Sequence, residues 1–209
     1  MNPLRTTRSP IPSPASLGLS RPSAGDDLAA LGWDDEEHLD LLGVLSSVGD
    51  PDRALNAVVR LVETLEDDAV TGEASAKELL AALDTDPAFR VRLLALFGGS
   101  TLLGDHVIAN PLVWPQLTGQ LPEREETMGE LLESVGAEPV QEDEESLLYR
   151  ASLTGIDADR AMRTAYRTVL ARIAAIDLAA TFIRRAARTG RDAENQDDKV
   201  TPPVSFSDL

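Results

Sequence analysis

Apolar residues along this 209-residue chain recur at steps of three and four, the spacing that gathers side chains on one face of a helix. The longest such run lies between Asp157 and Arg191. There Met162, Tyr166, Val169, Ile173, Ile176, Ala180, Ile183 and Ala187 predict one long helix with a continuous apolar face. Asp157 is placed to cap its start, Gly155 to end the preceding element, and Gly190 to end the helix itself. The opposite surface carries Arg160, Arg163, Arg167, Arg172, Arg184, Arg185 and Arg188. The plain reading of that surface is a solvated face; the sharper one is an arginine row facing a carboxylate-rich body or a phosphate-bearing partner.

The same grammar predicts shorter helices earlier in the chain. Asp34 caps a segment with Leu39, Leu41, Leu42 and Leu45 on its apolar side. Asp50-Pro51 pairs a capping carboxylate with a residue whose fixed φ suits a first helical turn, and Leu55, Val58, Val59, Val62 and Leu65 follow as a buried face, with a stop between Asp67 and Gly72. Ser75 and Glu78 have capping-box spacing ahead of Leu79, Leu80 and Leu83. Asp86-Pro87 repeats the start signal before Phe89, Leu93, Leu94 and Phe97, and Gly98-Gly99 breaks the chain. Ser100 or Thr101 caps the next helix, Pro111 closes it, and Trp114 and Leu117 anchor a short turn. An acidic stretch from Pro122 to Asp143 holds a helical Met128, Leu131 and Leu132 before Gly136 and Pro139. No stretch sustains polar and apolar alternation with β-branched enrichment, so essentially no sheet is expected. The predicted fold class is all-α: a multi-helix domain over residues 26–191 with one long amphipathic helix at its end. Residues 1–25, rich in Pro, Ser and Arg, are expected to be a disordered arm, and residues 192–209 a linker and the start of a further element cut off at Leu209.

Charge narrows the partners. With 36 acidic against 19 basic residues the formal net charge is -17. Residues 1–156 sum to about -18 and residues 157–191 to about +5, so the positive charge sits on the long helix. That balance argues against nucleic acid, whose phosphates such a body repels. There is no cysteine, which excludes disulfides and thiolate metal sites and fits a reducing cytoplasm. No apolar run reaches the length of a membrane span, and the early prolines interrupt what a signal peptide needs as its core, so no membrane association is expected.

Candidate chemistry is sparse. The only histidines are His38 and His106. His106 reads as a ligand or general base beside Asp105, or as a helical histidine packed against Trp114 or Phe97. Asp50 and Asp52 resemble half of a DxD metal motif but flank a helix start, where carboxylates face exposed N–H groups. Glu138 and Glu142–Glu145 lack the ordered oxygen spacing of a calcium loop. Gly98-Gly99-Ser100 suggests a phosphate cradle only superficially, since it follows a helix and lacks the GxxxxGK[ST] pattern. No catalytic, cofactor-binding or metal-ligating residue is assigned.

Three stretches go beyond generic helix grammar. In RLLALFGGSTLLGDHVIANPLVW, Arg92–Trp114, the residues Leu96, Phe97, Gly98, Ser100, Leu103, Gly104, Asp105, His106 and Pro111 match an LFGxSxxLGDHLxxxP stretch, with Val107 where leucine is expected. DPDRALNAVVRL, Asp50–Leu61, and YRTVLARIAAIDL, Tyr166–Leu178, follow the same pattern in order, although Ile176 stands where an arginine is expected before Asp177. Together they resemble the front part of the bacterial bifunctional glutamine synthetase adenylyltransferase and adenylyl-removing enzymes of actinobacterial type, over about residues 26–209. The resemblance implies a parent enzyme, dependent on ATP and magnesium, that transfers AMP to a tyrosine of glutamine synthetase and removes it by phosphorolysis. Its implied partners are glutamine synthetase and, through the parent, a PII-type nitrogen signalling protein. The family's metal-binding residues follow a glycine-rich GKLGGxELNxxSDxDLxF segment that has no counterpart here, so none is carried onto this chain. The implied role is an amino-terminal, noncatalytic helical portion; a free-standing helical interaction or regulatory protein is the alternative reading.

Overall fold

A computed structural model of the chain describes residues 11–67, 72–121, 123–143 and 146–197, with side chains left undescribed at 72–74, 141–143, 146–147 and 185–197. Eight α-helices among these residues surround one core: α1 Ala24–Ala30, α2 Leu39–Ser47, α3 Pro51–Asp67, α4 Gly72–Thr85, α5 Pro87–Gly99, α6 Thr101–Ala109, α7 Arg124–Ser134 and α8 Gly155–Asp197. Two 3₁₀ turns, Pro14–Leu17 and Pro111–Leu117, and one hairpin of β1 Ala137–Asp143 and β2 Ser146–Ala151 complete them.

α3 is the central element and packs against α1, α2, α4, α5 and α6. Its start follows from Asp50, whose Oδ1 accepts the Arg53 N–H at 2.9 Å, and from Pro51 in the first position. Leu55, Val58, Leu61, Val62 and Leu65 are buried along it. Complete burial of each leucine is worth roughly 1.5–3 kcal/mol by transfer from water. α5 starts by the same device, Asp86 accepting from the Ala88 and Phe89 N–H groups, and buries nearly every side of its second half, from Leu93 to Gly98. Trp33 is buried in the core, and Trp114 packs on Phe89 with ring centroids 5.6 Å apart. Arg92 fixes the turn that carries Trp114 by donating to the carbonyls of Leu117, Thr118 and Gly119, and Arg90 closes the end of α4 through the carbonyls of Leu83 and Asp84. Among the described residues no single helix is long and apolar enough to cross a membrane; α5 and α6 reach that length only together, across a 117° bend, and both line the core.

Several expectations need correction. Residues 11–25, placed in the disordered arm, are folded: Leu17, Leu19 and Ala24 are buried in the core, and the Asp52 carboxylate holds this segment through the N–H groups of Ser20 and Arg21. Residues 1–10 lie outside the described residues. α2 starts at Leu39, not after Asp34; Asp35 caps that approach by accepting from the Glu37 and His38 N–H groups. α4 starts at Gly72, which leaves Ser75 inside the helix and not at its cap.

A hairpin forms where no sheet was expected, with Ala137 opposite Ala151 and Val140 opposite Leu148 in antiparallel register. Its strands are short and charged, which masks the alternation that a sequence pattern reads. α8 is 43 residues long, about 65 Å at 1.5 Å per residue, and runs through Gly190. A single glycine costs about 1 kcal/mol in a helix interior and does not end one by itself. Gly155 is the first residue of α8 at φ +59°, a left-handed conformation that suits glycine at the turn out of the hairpin.

The largest correction concerns which face of α8 is buried. Val169, Ala171, Ala175 and Ala179 face the body, together with Thr168 and Arg172. Of the expected apolar face, Val169 is buried and Ile176 half-buried as foreseen, Met162, Tyr166, Ile173, Ala180 and Ile183 are exposed, and the Ala187 side chain lies outside the described residues. The seam is built of small residues because α5 and α8 approach closely, and closeness admits alanine where it excludes isoleucine.

Candidate functional site: the Gly98 corner and the cleft beside Arg172

The FGGS stretch forms the corner between α5 and α6. A Cβ on Gly98 would sit 2.9 Å from Val48 Cγ2 and 3.3 Å from the Asp50 carbonyl oxygen. On Gly99 it would sit 2.9 Å from Leu178 Cδ1 of α8, and on Gly104 3.3 Å from the Phe97 ring. These glycines are therefore close-packing positions. Ser100 caps α6 by accepting the Leu103 N–H at 3.3 Å. Arg53 donates to the carbonyls of Phe97 and Gly98, closing the end of α5, and reaches Thr101 Oγ1 at 3.3 Å. What this corner presents is carbonyl oxygens already held by a guanidinium, which does not suit a nucleotide phosphate.

His106, on α6, is buried and joins α6 to α8. Its Nδ1 accepts from Asn110 Nδ2 at 3.3 Å, and its Nε2 donates to Thr168 Oγ1 at 2.9 Å, while the Thr168 hydroxyl donates onward to the Thr164 carbonyl at 3.1 Å. Burial, and secondarily the charge of Arg167, hold its pKa below the ordinary histidine value, so the ring is neutral and fits this chain of donors and acceptors. Asp105 turns away from it and pairs with Arg60 of α3 at 2.9 Å, so of the two readings of His106 the pairing with Asp105 does not form and the ring is a packed one. His38 sits between two carboxylates, Asp35 at 2.7 Å and Asp84 at 3.3 Å, and ties the approach to α2 onto α4. The hydrogen bond from His38 lowers the Asp35 pKa against a smaller opposing effect of desolvation. Desolvation pushes the Asp52 pKa up, but the hydrogen bonds from Ser20 and Arg21 together outweigh it and hold the group below its usual range. Asp50 and Asp52 thus hold backbone N–H groups.

The expected arginine surface divides. Arg160, Arg163 and Arg184 are exposed, Arg167 is half-buried, and Arg172 is buried against the body; the side chains of Arg185 and Arg188 lie outside the described residues. Arg172 Nη1 reaches Glu130 at 2.6 Å and Nη2 reaches Glu126 at 3.5 Å, both on α7, while its Nε is buried without a partner among the described residues. These groups line an open cleft of about 490 Å³ between α7, α8 and the Pro111–Leu117 turn, with Gln116, Thr118 and Thr168 on its walls. The reading of an arginine row facing a carboxylate-rich body holds at Arg172, although the sequence did not single it out from the row. The signal was its place between Ala171 and Ala175, small neighbours that mark the side of α8 lying close to the body.

Chemically this arrangement can bind polar groups and hold elements together. Among the described residues no group of three or more His, Asp or Glu side chains is placed to hold a metal ion. Of the acidic stretch, Glu138 is exposed, and the side chains of Glu142–Glu145 lie outside the described residues.

Comparison with curated proteins gives relatives over most of the chain. The chain is 44% identical, across an alignment of 215 positions that covers 96% of it, to the bifunctional glutamine synthetase adenylyltransferase/adenylyl-removing enzyme of Corynebacterium glutamicum, and 43% identical, across 200 positions that cover 87% of it, to that of Corynebacterium efficiens. It is 40% identical over 183 residues, 85% of the chain, to the protein of the same name from Mycobacterium tuberculosis. In each case the chain spans less than a fifth of the relative: 19% of the two Corynebacterium proteins and 16% of the mycobacterial one. No protein-family model matches, and no solved structure matches.

Proposed function

Most of this chain is homologous to one stretch of the bifunctional glutamine synthetase adenylyltransferase/adenylyl-removing enzymes, and on that premise we propose that it serves as the amino-terminal, noncatalytic helical part of such an enzyme. The whole protein, in this reading, transfers AMP from ATP to a tyrosine of glutamine synthetase and removes it by phosphorolysis in the cytoplasm, under the influence of a PII-type signalling protein. ATP and Mg²⁺ are bound by another part of the polypeptide. The observation that carries the reading is identity of 37–44% to the Corynebacterium relatives across 87–96% of this chain.

The residues shared with the resemblance described above are ones whose geometry is architectural. Phe97, Gly98, Ser100, Gly104 and His106 set the α5–α6 corner and its contact with α8. A part with this construction contributes by holding two large partners in a fixed relation, which raises the effective concentration of reacting groups without supplying one.

Two measurements test the reading. An antibody against residues 26–191 is expected to detect, in an extract of the source organism, a protein far larger than 22.4 kDa. The purified 209-residue chain is expected to transfer no labelled AMP from ATP to glutamine synthetase. A band at 22.4 kDa overturns the membership in a longer enzyme, and transfer that depends on the purified chain overturns the noncatalytic role.

A further inference from the structure

We propose that His38 is a proton-operated clasp: with a proton on each ring nitrogen it holds residues 34–38 on α4 through Asp35 and Asp84, and with one proton it lets that segment go.

The geometry asks for two N–H groups. His38 Nδ1 lies 2.7 Å from Asp35 Oδ1, and Nε2 lies 3.3 Å from Asp84 Oδ1. A neutral imidazole carries one N–H and one lone pair, so it serves one carboxylate and turns the lone pair toward the other, whereas the imidazolium donates to both.

The segment is anchored at its ends and free between them. Trp33 before it and Leu41 after it are buried, each 1% exposed. Within it Asp35 Oδ1 accepts the N–H groups of Glu37 and His38, a turn closed on itself, and the His38 ring provides a link to α4. A cavity of about 270 Å³ lies beside the ring, lined by Glu37, His38, Asp40, Leu41, Asp84 and Arg90, and gives protons a route to it.

The charges around the ring set the sense of the device. Asp35, Glu37 and Asp40 approach from its own segment and α2, Asp84 from α4 and Arg90 from α5. The Arg90 guanidinium is committed to the carbonyls of Leu83 and Asp84, which leaves the carboxylates as the ring's partners. The start of α2 by itself disfavours a cation, so it is these carboxylates that give the charged ring something to hold. The His38 hydrogen bond, against a smaller effect of desolvation, keeps the Asp35 carboxyl below its ordinary range, so Asp35 is charged where histidines titrate. The clasp is closed on the acid side of that range and opens as pH rises through it, the opposite sense to the buried, neutral His106.

The test follows amide hydrogen exchange of residues 34–38 in the 209-residue chain at about pH 5 and about pH 8, each rate divided by that of an unstructured peptide at the same pH. Nitrogen NMR of the ring is recorded alongside. The unaltered chain is expected to show both ring nitrogens protonated at the lower pH and one at the higher. Between them it should lose protection by about threefold to fivefold, the scale of a partly exposed ion pair. His38→Gln should show the weaker protection at both values. Asp84→Asn, which keeps the shape of α4, should remove the pH-dependent part while the ring still titrates. Protection that does not follow the protonation of the ring overturns the clasp. A pH-dependent part that survives in Asp84→Asn overturns its anchorage on α4, and the proposal with it. Should either variant fail to fold, the comparison of protection with ring protonation in the unaltered chain decides the matter by itself.

Discussion

Gly98 and Gly99 are adjacent and differ in what they face. A methyl group on Gly98 meets the β-branched Val48 and a backbone carbonyl, neither of which yields easily; on Gly99 it meets the end of the flexible Leu178 side chain. Both substitutions also gain helix propensity, worth about 1 kcal/mol. Gly98→Ala is therefore expected to destabilise the fold clearly more than Gly99→Ala, as denaturant midpoints will show. Phe97, 1% exposed and packed under Gly104, should cost about 3–5 kcal/mol when changed to alanine, read from the same kind of titration. His106 gives a pH dependence with a definite sign. The unfolded chain takes up a proton near 6.5, whereas the folded protein resists it. The contribution of the neutral ring is thus complete above that value and is lost as pH falls from 6.5 toward the lower folded-state value. His106→Gln should remove this component, which comparison of unfolding midpoints on either side of 6.5 will reveal. The apolar spacing already placed Phe97 in the core, and the readings of His106 as a packed helical histidine and of Gly98-Gly99 as no phosphate cradle agree with the fold. Which groups they meet across the fold is what residue types alone do not give.

Among the elements, the capped helices were the most legible. Asp50-Pro51 and Asp86-Pro87 each start a helix where a carboxylate meets a fixed φ, and the apolar spacing of α3 matches its buried face. α8 was read with its existence correct and its facing right at Val169 but wrong at most of the large side chains. A hydrophobic pattern weights large side chains, while the contact with α5 is decided by how near two backbones can come. α7 has no buried residue and is held to α8 largely through Glu126, Glu130 and Arg172. Its neighbour, the two-stranded hairpin, is of a kind that is marginal by itself in water. Arg172→Ala is expected to cost about 1 kcal/mol, since the freed glutamates are hydrated while the guanidinium leaves a buried site. Hydrogen exchange should rise along α7 and the hairpin and stay unchanged in α3.

At the scale of the whole molecule, the strongly acidic body and its basic long helix were both visible in the sequence, and they do meet: Arg172 on α8 is answered by two glutamates of α7. What the sequence could not display was the division of labour along α8, one side closing a core and the other remaining open. The all-helical class was legible from period alone. The folding of residues 11–25 onto the body was not, because it depends on two leucines and on hydrogen bonds to one distant carboxylate, Asp52.

The two tryptophans, Trp33 and Trp114, are buried, while both tyrosines, Tyr149 and Tyr166, are exposed on the hairpin and the outer side of α8. The chain thus carries a built-in pair of spectroscopic reporters. Indole emission follows the integrity of the body, phenol absorbance follows whatever approaches its outer surface, and the two processes can be watched separately in one unlabelled sample.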